Sequence, residues 1–266
     1  MSNQPFSIKY GPWALVAGAS EGLGAAFARH IASRGVNVVL IARREKPLEA
    51  LATELRSRYG VDVSTAPMDL SVPDLATRLA AVTEGRDIGL LVYNACYSVI
   101  APFVDTALED HHKVIDVNCR GPMTATHLLV PRMVARGRGG VVLMSSMSAF
   151  QGTAMIASYA ASKAYDIVLG EALWDELRGT GVDVLVCAAG ATDTPNFRAG
   201  TPVDKQRGTF PMDPADVAQG ALRELGKGGP TWVPGRMNRA VRGALSLVPR
   251  RLAVRFFSST TRSIYE

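Results

Sequence analysis

The stretch WALVAGASEGLGAAFARHIASRG, residues 13–35, decides the fold. It opens on a continuous apolar run, passes through three closely spaced glycines, and continues with apolar residues at helical spacing that end on Gly35. A strand buried on both faces reads as an unbroken apolar run, the form strands take in a parallel sheet. The change of period from strand to helix across a glycine turn makes this the first half of a strand–helix–strand unit.

The same alternation recurs along the chain. Apolar runs VNVVLIA (36–42), VDVSTAPMD (61–69), IGLLVYNA (88–95), GVVLMSS (140–146) and DVLVCAAG (183–190) are separated by helical segments such as EKPLEALATELRSRYG (45–60). Six repeats of this pattern predict an α/β fold: a single doubly wound Rossmann-type parallel sheet with flanking helices. No linker, low-complexity tract or repeat divides the chain before about residue 190, so residues 1–266 are expected to form a single domain. Within it, residues 191–212 read as a long loop and residues 236–266 as a basic C-terminal extension.

Composition narrows the class. The 266 residues are 47% hydrophobic, which suits a large buried core. No apolar run reaches the roughly 18 residues that span a bilayer. The opening MSNQPFSIKYGPW lacks the apolar centre of a signal peptide. A soluble, cytoplasmic protein is expected. Cys96, Cys119 and Cys187 are widely spaced, and His30, His111, His112 and His127 offer no ligand spacing, so neither a disulfide scaffold nor a metal site is expected. The histidines read as solvated helix residues. Net charge is +5, with seven arginines and one acid in residues 236–266 and a near-neutral body. That distribution speaks against nucleic acid as a partner.

Gly18, Gly22 and Gly24 sit where backbone can approach a pyrophosphate at a helix N-terminus, the alternative being a tight turn without a ligand. At the end of the second strand, VVLIARRE places Arg43 and Arg44 where an NAD-binding protein would carry an acid, so NADP(H) is the expected cofactor. Further on, YAASK (159–163) sets Tyr159 one helical turn from Lys163, either as a surface pair or as a proton donor with the cation that tunes it.

Together these motifs make the chain, over about residues 12–235, resemble the classical short-chain dehydrogenase/reductase (SDR) family. Its T-G-x-x-x-G-x-G reads AGASEGLG here, with Ala17 for threonine; N-N-A-G reads YNAC, with Cys96 for glycine; P-G-x-x-x-T reads AGATDT, with Ala189 for proline. Ser146 lies 13 residues before Tyr159, as in the family. Glu21 stands where NADP-dependent relatives often carry lysine. The resemblance implies a catalytic tetrad of Asn118, Ser146, Tyr159 and Lys163. It also implies cofactor contacts from Gly18, Ser20, Gly22, Leu23, Gly24, Arg43, Arg44, Asp69, Leu70, Asn94, Ala95, Tyr159, Lys163, Gly190, Thr192 and Thr194. The implied reaction interconverts a carbonyl and a secondary alcohol by hydride transfer.

In that chemistry Lys163 is expected to lower the Tyr159 pKa from its ordinary value near 10, making it the general acid in reduction. Ser146 would hold the substrate oxygen, while Ser145 and Ser148 read as turn serines. Asn118 precedes Pro122 by four residues, so its carbonyl lacks the proline N–H as a helical partner. The vacancy is a plain proline kink or, as the family implies, the anchor of a proton relay to Lys163. In residues 195–212, Phe197 and Phe210 either line an apolar pocket or tether a mobile loop. Met237, Val241, Ala244, Leu245 and Val248 form an apolar stripe opposite Arg236, Arg239 and Arg242, interrupted by Pro249. The stripe can pack on the domain, on a second subunit, over the substrate pocket, or on an anionic membrane as a peripheral contact. A similar PGRxN…LxPR tail in hydroxysteroid and long-chain 3-oxoacyl reductases points to an apolar ketone substrate. A homo-oligomer, dimer or tetramer, is the family expectation. The rival readings are a non-catalytic NADP-binding regulator, a membrane-surface scaffold, and isomerase or dehydratase chemistry.

Overall fold

The computed structural model describes residues 5–265; residues 1–4 and 266, which the sequence reading counts in the domain and its tail, lie outside the described residues. Seven strands run in chain order as β1 (Trp13–Ala17), β2 (Asn37–Ala42), β3 (Val63–Pro67), β4 (Ile88–Tyr93), β5 (Gly139–Ser146), β6 (Val182–Ala189) and β7 (Thr231–Trp232). They form one sheet in the order β3-β2-β1-β4-β5-β6-β7, every neighbouring pair parallel. The six expected strands are present, shortened by a residue or two at several ends. The seventh spans two residues, too few to produce an apolar run.

Alternation within the apolar runs explains their continuity. Ala14 and Val16 of β1 join Val38 and Leu40 of β2 on one face, while Leu15, Ala17, Val39 and Ile41 lie on the other. Phe27 and Ile31 of helix Gly22–Ala32 and Leu48 of helix Glu45–Tyr59 cover the first face. Leu129 and Met133 of helix Gly121–Ala135 and Ile167 of helix Ala157–Glu176 cover the second. Because both faces are dry along the central strands, most residues there are apolar whichever way they point.

Strand order reverses beside β1: the chain proceeds outward through β2 and β3, then crosses back to lay β4 on the other side. Loops leaving the C-terminal ends of β1 and β4 therefore diverge and leave a crevice between them. Residues 191–212, expected as the long loop that in the resembled family closes over the substrate, contain a flap of short helices, Pro195–Gly200 and Val203–Gln206. Thr194 caps the first by accepting from the Phe197 N–H at 3.2 Å. The flap's ends are tied by Asp193 N–H to Met212 O and Met212 N–H to Ala191 O, each 2.9 Å. Phe210 is 84% exposed and lines no enclosed pocket.

The tail folds as two helices, Arg236–Leu247 and Arg250–Tyr265, parted at Pro249. It lies on the domain, one of the placements open to it. The Arg242 guanidinium covers the Phe150 ring at 4.9 Å, Arg250 Nη1 donates to Phe150 O, and Ser258 Oγ accepts from the Ala154 N–H. Of the apolar stripe, Val241 and Leu245 are half-buried, while Met237, Ala244 and Val248 are exposed, as are Leu247, Leu252 and Phe256 beyond it. Arginine carries enough donors and ring-stacking surface to add its own contacts to those of the stripe. Among the described residues no helix is long and apolar enough to cross a membrane.

Gly170, in the middle of helix Ala157–Glu176, lies so close to β6 that an added Cβ would overlap Val186 Cγ2. On an exposed helix, Gly→Ala stabilises by about 1 kcal/mol. Gly170→Ala should instead destabilise by about 1–3 kcal/mol through overpacking, read as a lower urea midpoint, with Val186→Ala restoring part of the loss.

Candidate active site

The crevice at the β1–β4 reversal is built of bare backbone. Gly18 has φ +78°, and a Cβ there would lie 2.7 Å from the Ala95 backbone. A Cβ on Gly24 would overlap the Gly18 carbonyl. Asn94 Nδ2 donates to that same carbonyl at 3.0 Å, joining the end of β4 to the turn after β1. Gly22 faces the Thr194 side chain, so the flap's first residues stand directly against the glycine turn. Ser20 and Leu23 fall within the turn and the first helical turn, both partly buried. These residues fit a dinucleotide: a side-chain-free concavity at a helix N-terminus is what a pyrophosphate requires.

Further along the crevice the expected adenosine-side residues are placed unequally. Asp69 accepts from the Ser71 N–H at 2.9 Å and its hydroxyl at 2.8 Å, and pairs with Lys113 at 3.5 Å. Partial burial pushes its carboxyl up, but Ser71, Lys113 and Arg43 more than offset this and hold it below the ordinary range. Leu70 is buried in the core, leaving its backbone to face the crevice. Arg44 pairs with Glu21 at 2.5 Å, while Arg43 is exposed beside Asp69. The acid that stood against a phosphate site is thus occupied by one arginine, and the other stays exposed near Asp69. Gly190 lies against Asn238 of the tail, whose Nδ2 would be 2.6 Å from an added Cβ; Thr192 Oγ1 donates to Gly190 O at 3.1 Å.

Ser146, at the end of β5, and Tyr159 and Lys163, on the helix that follows, converge beside this crevice. Ser146 Oγ accepts from the Ser148 N–H and hydroxyl, at 3.2 and 3.0 Å. Ser145 Oγ donates to the Lys163 carbonyl, a structural bond. Lys163 Nζ donates to Met144 O at 2.7 Å and to Asp166 Oδ2 at 2.9 Å, and both side chains of that pair are at most 5% exposed. Burial disfavours the ammonium, but Asp166 first, then Cys96 and Tyr159, keep Lys163 above its ordinary value.

Tyr159 departs from expectation. Burial of the phenol and the Cys96 thiol push it up to about 12, with Asp166 adding to the rise, while Lys163 and Ser146 pull it down. Lys163 acts in the expected direction but does not prevail. The physical reason is first that burial disfavours phenolate, and only then that Asp166 offsets part of the lysine's charge.

The turn that carries Asn118 also differs from a proline kink. Residues Asp116–Arg120 wind as a π-turn, with the Gly121 N–H reaching back five residues to Asp116 O. Pro122, having no N–H, sits in the first turn of the next helix, where it is tolerated. The Asn118 side chain is fully buried: its Oδ1 accepts from the Tyr97 N–H at 2.8 Å, and its Nδ2 donates to Tyr97 O and Ser162 Oγ. Tyr93, unremarked in sequence, donates its hydroxyl to Val117 O at 2.7 Å and fixes this turn from below. His111, expected to be solvated, bonds Ser158 Oγ through Nδ1 and stacks on Phe103. Beside Tyr159 opens a small recess of about 10 Å³, lined by Val99, Ala101, Phe103, Val114 and Met155 and by the polar side chains of Thr106, His111 and Ser158. Its residues form no periodic run, so sequence gave no sign of it.

With this geometry in place, comparison with known proteins is direct. The family model for short chain dehydrogenase matches residues 12–203. The chain belongs to the short-chain dehydrogenases. It is therefore an oxidoreductase that interconverts a carbonyl and an alcohol with a nicotinamide cofactor. A 7beta-hydroxysteroid dehydrogenase of Collinsella aerofaciens is 37% identical over 222 residues, 82% of this chain and 84% of the relative. The solved structure of a 7beta-hydroxysteroid dehydrogenase, described in relation to its stereoselectivity, superposes with a TM-score of 0.90 at 33% identity, covering 96% of this chain and 99% of that one. A short-chain dehydrogenase from Sphingobium yanoikuyae in complex with NADPH superposes at 0.79 with 28% identity, covering 90% and 96%.

In this short-chain dehydrogenase the Tyr93 hydroxyl is buried against a carbonyl that would be left unpaired by its removal. Tyr93→Phe should cost about 1–3 kcal/mol of stability by chemical denaturation.

Proposed function

We propose that the protein reduces the ketone of a bulky apolar, steroid-like molecule with NADPH, acting as a cytoplasmic homo-oligomer. The observation that carries the reading is the convergence of Ser146 and Lys163 on Tyr159 beside a bare glycine crevice. When bound, the nicotinamide cofactor supplies the hydride. Its pyrophosphate would lie on Gly18, Gly22 and Gly24, near Ser20 and Leu23, and its adenosine side along Asp69, Leu70 and Arg43. Asn94, Ala95, Gly190, Thr192 and Thr194 would border the nicotinamide end, with Lys163 at the adjoining ribose. Arg43, exposed and electrostatically coupled to Asp69, is the residue suited to a 2′-phosphate. Arg44, held by Glu21, serves as its support.

Ser146 Oγ donates to the substrate oxygen and holds it within reach of Tyr159, which gives the proton as charge develops there. Because the phenol is pushed up to about 12, it stays protonated at neutral pH and is always loaded for reduction. Alcohol oxidation needs the phenolate, whose population is small at pH 7 and rises tenfold per pH unit below that value. Asn118 fixes the wide turn and the Tyr97 backbone, and its carbonyl is the candidate relay anchor behind Lys163. The recess mixes apolar and polar lining, and it is the likeness to 7beta-hydroxysteroid dehydrogenases that favours a hydrocarbon-rich ketone. Exposed Leu247, Leu252 and Phe256 on the tail suit contact with a second copy.

NADPH should bind at least tenfold tighter than NADH at one salt concentration, worth about 1.4 kcal/mol, and Arg43→Ala should erase most of that margin. Equal dissociation constants would overturn the NADPH assignment. A panel of steroid ketones and 3-oxoacyl compounds, followed by loss of NADPH absorbance, tests the substrate; turnover of 3-oxoacyl compounds alone would overturn the steroid reading. Tyr159→Phe should lower kcat by about 10²–10⁴-fold with little change in cofactor affinity. For the wild type, kcat/KM for reduction should be flat from pH 6 to 8 while that for oxidation rises about tenfold per unit.

A further inference from the structure

Helix Ala157–Glu176 carries a charged residue that the reaction as described does not use. Asp166, three residues after Lys163, is 2% exposed, and its Oδ2 lies 2.9 Å from Lys163 Nζ. A carboxylate at this depth is expensive to bury unless a cation meets it. Lys163 is the cation in direct contact with it among the described residues. The ammonium thus has two fixed acceptors, Asp166 Oδ2 and Met144 O, which together set where its charge lies relative to the phenol.

We propose that Asp166 is a positioning residue for proton transfer: its carboxylate anchors Lys163 against β5 and takes up much of the ammonium's charge, keeping Tyr159 in the protonated form that reduction needs. The proposal rests on the reading of Tyr159 and Lys163 as the proton-transfer pair. Its consequence is directional, since a neighbouring cation favours phenolate and a neighbouring anion disfavours it. Removing the carboxylate while leaving Lys163 in place should make the phenol more acidic.

The other groups facing this pair come from every element packed on it. Tyr93 stands on β4 and Cys96 just beyond it, Cys119 on the π-turn, and Tyr159 and Tyr165 on the same helix. Each is a phenol or thiol. Arg120, which acts on Tyr93, is held by Asp116 and by the Ser71 and Val72 carbonyls. Asp166 is therefore the group whose charge opposes that of Lys163 at neutral pH.

The test reads the phenol directly and needs no substrate. Protein labelled with ¹³Cζ-tyrosine is titrated by NMR, the Tyr159 signal being assigned by its loss in Tyr159→Phe. In Asp166→Asn the Tyr159 midpoint should fall by about one pH unit or more, with the alkaline rise in oxidation moving to lower pH by the same interval. Asp166→Ser removes the charge with a smaller side chain and serves if the asparagine variant does not fold. Asp166→Glu should return the midpoint toward the wild type. An unchanged or higher midpoint in folded Asp166→Asn or Asp166→Ser overturns the proposal, because a merely structural role would leave the titration in place. If the midpoint falls but no carbonyl substrate is turned over, Asp166 tunes the phenol but the reading of Tyr159 and Lys163 as the proton-transfer pair fails, and with it the role in proton transfer.

Discussion

A wholly parallel sheet sends the C-terminal ends of all its strands to one edge, and this constraint organises the molecule. Each β-strand must be followed by a return over a face, so both faces become covered and the central strands are drawn into a dry environment. The polar work is displaced to the loops at that edge. Where the order reverses between β1 and β4, the loops part and the edge opens. The glycine turn, Asn94, Ser146 and residues 190–194 each leave a different strand and meet there without any being near another in sequence.

The second constraint is electrostatic. A lysine on a helix buried against β5 must either lose its charge or be met by an acid. Asp166 meets it, and the Met144 carbonyl accepts a second hydrogen bond from the ammonium. This arrangement holds the cation in one place, but it also limits what the cation can do to a neighbouring phenol. The same burial that keeps Lys163 ordered keeps Tyr159 protonated. In the direction of reduction those two effects cooperate, because the proton is needed and a pre-formed phenolate would be unproductive.

How legible each part was depends on the kind of interaction that fixes it. The six longer strands were readable because dryness on both faces demands uninterrupted apolar runs, whereas β7 pairs through two residues and leaves no pattern. Tyr159 and Lys163 were readable because their spacing is set by one helix. Asp166 follows Lys163 at a spacing that also brings side chains together on a helix, and that spacing was the available clue. Tyr93 and Asn118 act through contacts 24 and 21 residues away in sequence, to Val117 and Tyr97, so only the folded chain brings them together. The helices of the flap left no pattern in the sequence because they are four to six residues long, stabilised by the Thr194 cap and the tie at Met212 rather than by periodicity.

The tail shows how far an amphipathic pattern reaches. The spacing in residues 236–248 places Val241 and Leu245 at half-buried positions, but it does not tell which segments of the body the helix will meet. Here Arg242 and Arg250 reach Phe150, and Ser258 meets Ala154, in the segment that leads from Ser146 to Tyr159. Asn238 meanwhile lies on Gly190. The tail therefore braces the two loops that border the catalytic edge from outside. An extension with few buried residues can still matter to the site, because its hydrogen bonds are placed on the segments whose position decides where Ser146 and Gly190 stand.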